Sequence, residues 1–144
     1  MPSEAASGRC YCGAVCFSAS KPPHTVAHCH CVDCRRWTGG AVGTFAAFSS
    51  GDLTFSPLLG PGSSVALGVK RWFCQKCGSP LAATFDYLPG QTYVPVGVLN
   101  NADEFPAELH CHSQARLSWF HLNDDLPSIG QSARAELNSN VGSS

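Results

Sequence analysis

Residues 28–40 read HCHCVDCRRWTGG. Cys29, Cys31 and Cys34 fall within six positions, and His28 and His30 alternate with the first two. In an extended chain, residues i and i+2 share a face and lie roughly 6.5–7 Å apart. That is at the upper limit for an unstrained disulfide. It suits two thiolates converging on one zinc, with Zn–S distances of about 2.3 Å. Cys29 and Cys31 therefore share a face, Cys34 joins them after a turn, and the two histidines point to the opposite face. Three ligands with a vacancy is the form of a catalytic zinc site, which keeps one position for water or substrate.

Two further clusters flank this one. Cys10-x-Cys12 lies upstream, and Cys74-x-x-Cys77-Gly78 downstream. The stretch 9–20 is expected to be extended, with Cys10 and Cys12 on one strand face. A Cys-x-x-Cys-Gly turn also presents two sulfurs to one metal, its glycine permitting the tight return. Cys-x-Cys plus Cys-x-x-Cys makes a closed four-thiolate site. Spacing alone leaves other pairings open, including Cys10 and Cys12 with Cys29 and Cys31, or a single zinc with spare thiols. A thioredoxin-like role for Cys74 and Cys77 is disfavoured, because no βαβ pattern surrounds them. Cys16 and Cys111 are left over.

The rest of the chain bounds the class. With 144 residues, one domain is expected. Hydrophobic residues make up 44%, enough for a core. Charged residues are only 13% and the net charge is −1, which argues against nucleic acid and anionic membrane as partners. There is no secretory leader pattern and no transmembrane run, so a cytoplasmic location is expected. Nine cysteines, an odd number, favour metal ligation over internal disulfides in a reducing compartment. The segments 41–50, 51–56, 69–74 and 91–99 are short, rich in Val, Thr, Phe and Tyr, and punctuated by Gly and Pro, which predicts a mostly β fold. Residues 1–8 are read as an N-terminal tail, 9–127 as the zinc-binding domain, and 128–144 as a mobile C-terminal tail. One helical turn is expected at 101–109 and a short helix at 133–137.

The stretches GRCYCGAVCF (8–17), AHCHCVDCRRWTGG (27–40), WFCQKCGSPL (72–81), VGVLN (96–100) and ELHCHSQARLSWFHLNDDLP (108–127) occur in this order. Together they resemble the glutathione-dependent formaldehyde-activating enzyme family, which includes the centromere protein V relatives. The resemblance implies a β-tent fold of antiparallel sheets organised around zinc. It implies two zinc ions per chain, a structural one on Cys10, Cys12, Cys74 and Cys77, and a second on Cys29, Cys31 and Cys34. It also implies glutathione as co-substrate and formation of S-hydroxymethylglutathione from formaldehyde, a carbon–sulfur lyase-type reaction.

On that reading the partners are a small-molecule thiol and an aldehyde. A zinc with a vacancy lowers the pKa of an incoming thiol. Arg35 and Arg36 are candidates for a glutathione carboxylate, since an arginine fork matches one. His110, inside the C-terminal motif, is the candidate proton carrier. His28 and His30 are read as half-buried strand residues, with His30 a possible support for a cysteine ligand. Trp37 is read as packing, and His24, His112 and His121 have no motif support. The competing reading is a non-catalytic zinc protein that binds a thiol or a protein partner.

Overall fold

The computed structural model describes residues 4–141; positions 1–3 and 142–144, the ends of the two expected tails, lie outside the described residues. Among the described residues, ten strands form two sheets. The smaller sheet joins β1 (Ala6–Arg9), β2 (Cys16–Ala19) and β5 (Leu53–Ser56) in the order β1-β2-β5. The larger contains β3 (Thr25–Cys29), β4 (Gly43–Ser49), β6 (Ser63–Ala66), β7 (Val69–Phe73), β8 (Pro80–Phe85), β9 (Gln91–Pro95) and β10 (Leu109–Cys111). Its order is β10-β3-β4-β9-β8-β7-β6. The architecture is mostly β, as expected for a β-tent. All strand pairs are antiparallel except β10 with β3, which is parallel.

Side-chain alternation divides the large sheet into two faces. On β4, Ala46 and Phe48 pack with Val26, Val94, Phe17 and Ala19 in the core between the sheets. Phe45 and Ala47 point the other way, into a second cluster with Tyr93, Leu88 and Cys34. All five residues of β9 are buried, because the strand is central and covered on both faces. This second face carries an open cavity.

Two short helices complete that face, α1 (Val32–Thr38) and α2 (Arg134–Ser139). Helix α1 was not expected from sequence: seven residues are too few to display helical periodicity. Its Gly39 cap adopts φ 78° and donates to the Arg35 carbonyl, ending the helix. The turn expected at 101–109 is a 3₁₀ turn over Ala102–Glu104.

The tail boundaries differ from expectation at both ends. Ala6–Arg9 is paired with β2, so ordered structure begins before Arg9. At the other end, Ala133 is buried and Leu137 packs against the cavity cluster. Asn138 accepts from Gln91 Nε2 at 2.8 Å and donates to the Tyr87 carbonyl at 3.2 Å. The polar composition that suggested a free tail supplies these docking bonds instead. Among the described residues, no helix is long and apolar enough to cross a membrane.

Candidate metal centres and an open cavity

Cys10 and Cys12 come from the turn between β1 and β2, and Cys74 and Cys77 from the turn between β7 and β8. The first pair is not on a strand as expected. β1 ends at Arg9, and the Cys10 carbonyl accepts from Gly13, whose φ of 82° closes the turn. The four sulfurs lie within 4.8 Å of one another, with Cys10–Cys12 at 3.7 Å and Cys12–Cys74 at 3.8 Å. A tetrahedral zinc with Zn–S of about 2.3 Å places its sulfurs roughly 3.8 Å apart. Amides of Val15, Ala14 and Cys77 donate to the sulfurs of Cys10, Cys12 and Cys74 at 3.3–3.5 Å. These donors offset the negative charge that four thiolates accumulate. Contact with Ser79 lowers the Cys77 thiol to about 5. The donor set fits a closed metal site and is consistent with zinc.

The second cluster is assembled locally. Cys29 ends β3, Cys31 caps α1, and Cys34 lies in the helix's first turn. The Cys31 sulfur accepts the Cys34 amide at 3.2 Å and the Cys29 thiol at 3.5 Å. Hydrogen bonds from Cys29 and Cys34 lower the Cys31 pKa, while the same contacts hold the Cys29 and Cys34 thiols above their ordinary value. Hydrogen bonding within the cluster thus favours the thiolate form of Cys31, a charge a cation can take over. Gly43 makes room behind the cluster: a Cβ there would sit 2.6 Å from the Phe45 ring and 3.2 Å from Cys34 Cβ. The three sulfurs also lie within 4.8 Å of one another, and no fourth cysteine among the described residues joins them. Cys16 is exposed on β2. Cys111 pairs opposite Cys29 but stays outside the group, and burial pushes its thiol up to about 12.

The parallel pairing of β10 with β3 sets His110 opposite His28 and Cys111 opposite Cys29. With a period of two, the cysteines face the cavity and His28 and His110 face away from it. His28 Nδ1 meets Thr44 Oγ1 at 2.8 Å. His110 Nε2 lies 3.1 Å from both Asp124 oxygens, and His110 Nδ1 lies 2.8 Å from His30 Nε2. Asp124 accepts from His110 Nε2–H, and the other ring nitrogen of His110, Nδ1, shares a hydrogen bond with His30 Nε2. His30 is fully buried rather than half-buried, and burial lowers its pKa to about 4, keeping it neutral. The chain Asp124–His110–His30 ties the C-terminal segment to the loop between Cys29 and Cys31.

His110, expected as the proton carrier, is therefore a brace away from the cavity. His112, which had no motif support, lines the cavity. It takes φ 52°, a left-handed conformation uncommon outside glycine, at the end of β10. Strand alternation puts residues 110 and 112 on one face, and this reversal in backbone turns the second of them to the other side; no sequence signal marks it. Arg35 also departs from expectation. Its Nη1 donates to the carbonyls of His30 and Ala115 at 3.1 and 2.6 Å, so it holds the cluster loop and does not line the cavity. Arg36 does line it, from an exposed position.

The cavity has a volume of about 620 Å³, within the range of small-molecule sites. Strands of the large sheet and both helices supply its walls, and Cys29, Cys31 and Cys34 all border it. Trp37 forms part of the wall and stacks on Phe45 at 5.8 Å. Tyr93 donates its hydroxyl to Gln91 Oε1, so its ring contributes an apolar surface with a satisfied polar end.

Residues 5–115 match the family described as glutathione-dependent formaldehyde-activating enzyme. The chain is also similar to a solved crystal structure of a Rhodobacter sphaeroides protein, at 21% identity and a TM-score of 0.53. That similarity covers 85% of this chain and 99% of the other, and it speaks to the fold. No curated protein matches the chain.

Proposed function

The chain belongs to the glutathione-dependent formaldehyde-activating enzyme family, and from that premise we propose that it is a cytoplasmic, zinc-dependent carbon–sulfur lyase-type enzyme. It joins glutathione, or a similar thiol, to a small aldehyde and parts them again, with S-hydroxymethylglutathione as the adduct of formaldehyde. The observation that carries this reading is the gathering of three cysteine sulfurs on a cavity wall, with Cys111, across the ladder from Cys29, outside their group. Cys10, Cys12, Cys74 and Cys77 would hold a structural zinc, and Cys29, Cys31 and Cys34 a second one. Zinc at the second site supplies stabilisation of an incoming thiol as its thiolate near neutral pH.

The chain's own residues do the rest. His112, on the cavity wall, takes the thiol proton. The sulfur lone pair then forms the carbon–sulfur bond at the aldehyde carbon as the carbonyl π pair moves onto oxygen. His112 returns the proton to that oxygen, giving the hydroxyl of the adduct, and the reverse sequence releases aldehyde and thiol. Arg36 is placed to meet a substrate carboxylate at the rim. Arg35 and the Asp124–His110–His30 chain are positioning groups that hold the loop bearing Cys29 and Cys31.

The test is magnetisation exchange between labelled formaldehyde and its glutathione adduct, with the spontaneous rate as reference. The zinc-loaded protein should accelerate exchange, Cys31→Ser should abolish the acceleration, and His112→Gln should reduce it by about 10²-fold. Glutathione binding with exchange at the spontaneous rate would instead establish a non-catalytic protein that holds a thiol.

A further inference from the structure

Formaldehyde has one carbon, and glutathione is a polar tripeptide with two carboxylates and an amine. The cavity offers more apolar wall than either of them would cover. Its walls include Phe45, Val65, Phe85, Leu88, Tyr93 and Leu137. Against this apolar lining stands Arg71. It lies on β7 between Ser63 of β6 and Ala83 of β8, and its guanidinium carbon sits 4.7 Å from the Trp37 ring centre and 5.5 Å from that of Phe85. Nη1 is buried without a hydrogen-bond partner, and no carboxylate among the described residues forms an ion pair with Arg71.

A guanidinium held against two aromatic faces without a counter-charge is only partly compensated. Cations in such places are normally paired. Asp33 and Arg36 also border the cavity, both exposed and opposite in sign, and the three cysteines and His112 lie on its wall as well; Arg71 is the cation held against its aromatic side. Trp37 connects the two ends of the cavity, since it belongs to the same helix as Cys34 and lies against Arg71.

The geometry points to a ligand with an apolar body of aromatic or medium-chain size and a carboxylate seated at Arg71: the thiol adduct of a substituted aldehyde rather than of formaldehyde. The carboxylate belongs either to the aldehyde or to the thiol. This deepens the proposed thiol–aldehyde reaction and rests on it only for placing the reacting end at Cys29, Cys31 and Cys34.

Calorimetric titration of the zinc-loaded full chain tests it with sulfur-free probes first. 4-Phenylbutyrate should bind, 4-phenylbutan-1-ol should bind at least about tenfold more weakly, and Arg71→Met should erase the difference. Methionine keeps the packing on Trp37 and Phe85, and Arg71→Lys should recover part of the selectivity. S-benzylglutathione should bind about 30-fold more tightly than S-methylglutathione, because a ring is buried. If S-benzylglutathione also weakens in Arg71→Met, the carboxylate at Arg71 is the thiol's; if it does not, the carboxylate is the aldehyde's. No binding of phenylbutyrate, equal binding of acid and alcohol, or equal binding of the two thioethers would overturn the inference. Because phenylbutyrate has no sulfur, its Arg71-dependent binding would stand even if thiol–aldehyde exchange proved uncatalysed. Catalysed exchange without that binding would sink this inference alone.

Discussion

Cys74→Ser should destabilise the fold far more than Cys31→Ser, although each removes one sulfur from a candidate metal site. The difference lies in chain separation. The four-cysteine site ties the β1–β2 turn to the β7–β8 turn, with Cys12 and Cys74 lying 62 residues apart and their sulfurs 3.8 Å apart. Cross-linking a loop of that length removes about 4 kcal/mol of conformational entropy from the unfolded chain. Cys29, Cys31 and Cys34 are neighbours in sequence, and closing a loop of about five residues is worth only about 2 kcal/mol by the same relation. In a chain of this length the first figure corresponds to a drop in melting temperature on the order of 10 °C, and the second to about half of that. Both are floors, since the metal's own binding free energy adds to them. Differential scanning calorimetry of the zinc-loaded proteins, with metal content measured on the same samples, gives the comparison. If Cys31→Ser melted as low as Cys74→Ser, or Cys74→Ser melted within a few degrees of the parent, the closed site would not be the cross-link the geometry describes.

His110→Phe leaves His30 Nε2 buried without its hydrogen-bond partner, and should cost about 1–3 kcal/mol in urea unfolding. It should also speed amide exchange at Ile129, whose N–H donates to the His110 carbonyl at 2.8 Å. With zinc bound, a thiol reagent should find Cys16 fast and Cys111 slow, and the other seven cysteines only after chelation; equal rates at Cys16 and Cys111 would refute the burial of Cys111. Cys111 also predicts a pH effect. Its native pKa is raised by burial from 9.0 to about 12. The unfolded thiol therefore ionises first, and stability present below pH 9 falls as pH rises through 12. Cys111→Ala should remove up to about 1.4 kcal/mol of that decline per pH unit above 9, read from thermal melts across the range.

Legibility in the sequence followed the range of the interactions. β4, β5, β7 and β9 were readable because each is a run of strand-forming residues bounded by turn residues. The turn at Ala102–Glu104 and helix α2 were visible from local composition, Asn101 before the first and helix-forming Ala, Glu and Leu in the second. Helix α1 and the turn geometry of Cys10 and Cys12 were not: the seven residues of α1 show no apolar stripe, and a Cys-x-Cys spacing reads alike in a strand and in a turn.

By itself the sequence determined which residues could hold metal, because thiolate spacing is a property of a few adjacent residues, and it determined the family through the order of its cysteine motifs. Tertiary structure alone decided what surrounds the open cluster. His110 was selected by its motif, yet its strand turns it away from the cavity, and a left-handed residue two positions later brings in His112. Arg35 adjoins the cluster in sequence, but two backbone carbonyls claim it. Arg71 lies far along the chain and reaches the cavity only because β7 is placed in the large sheet opposite Trp37 of α1. The physical reason is common to all three: a side chain's chemistry is local, whereas its direction and its neighbours are set by strand pairing between segments distant in sequence.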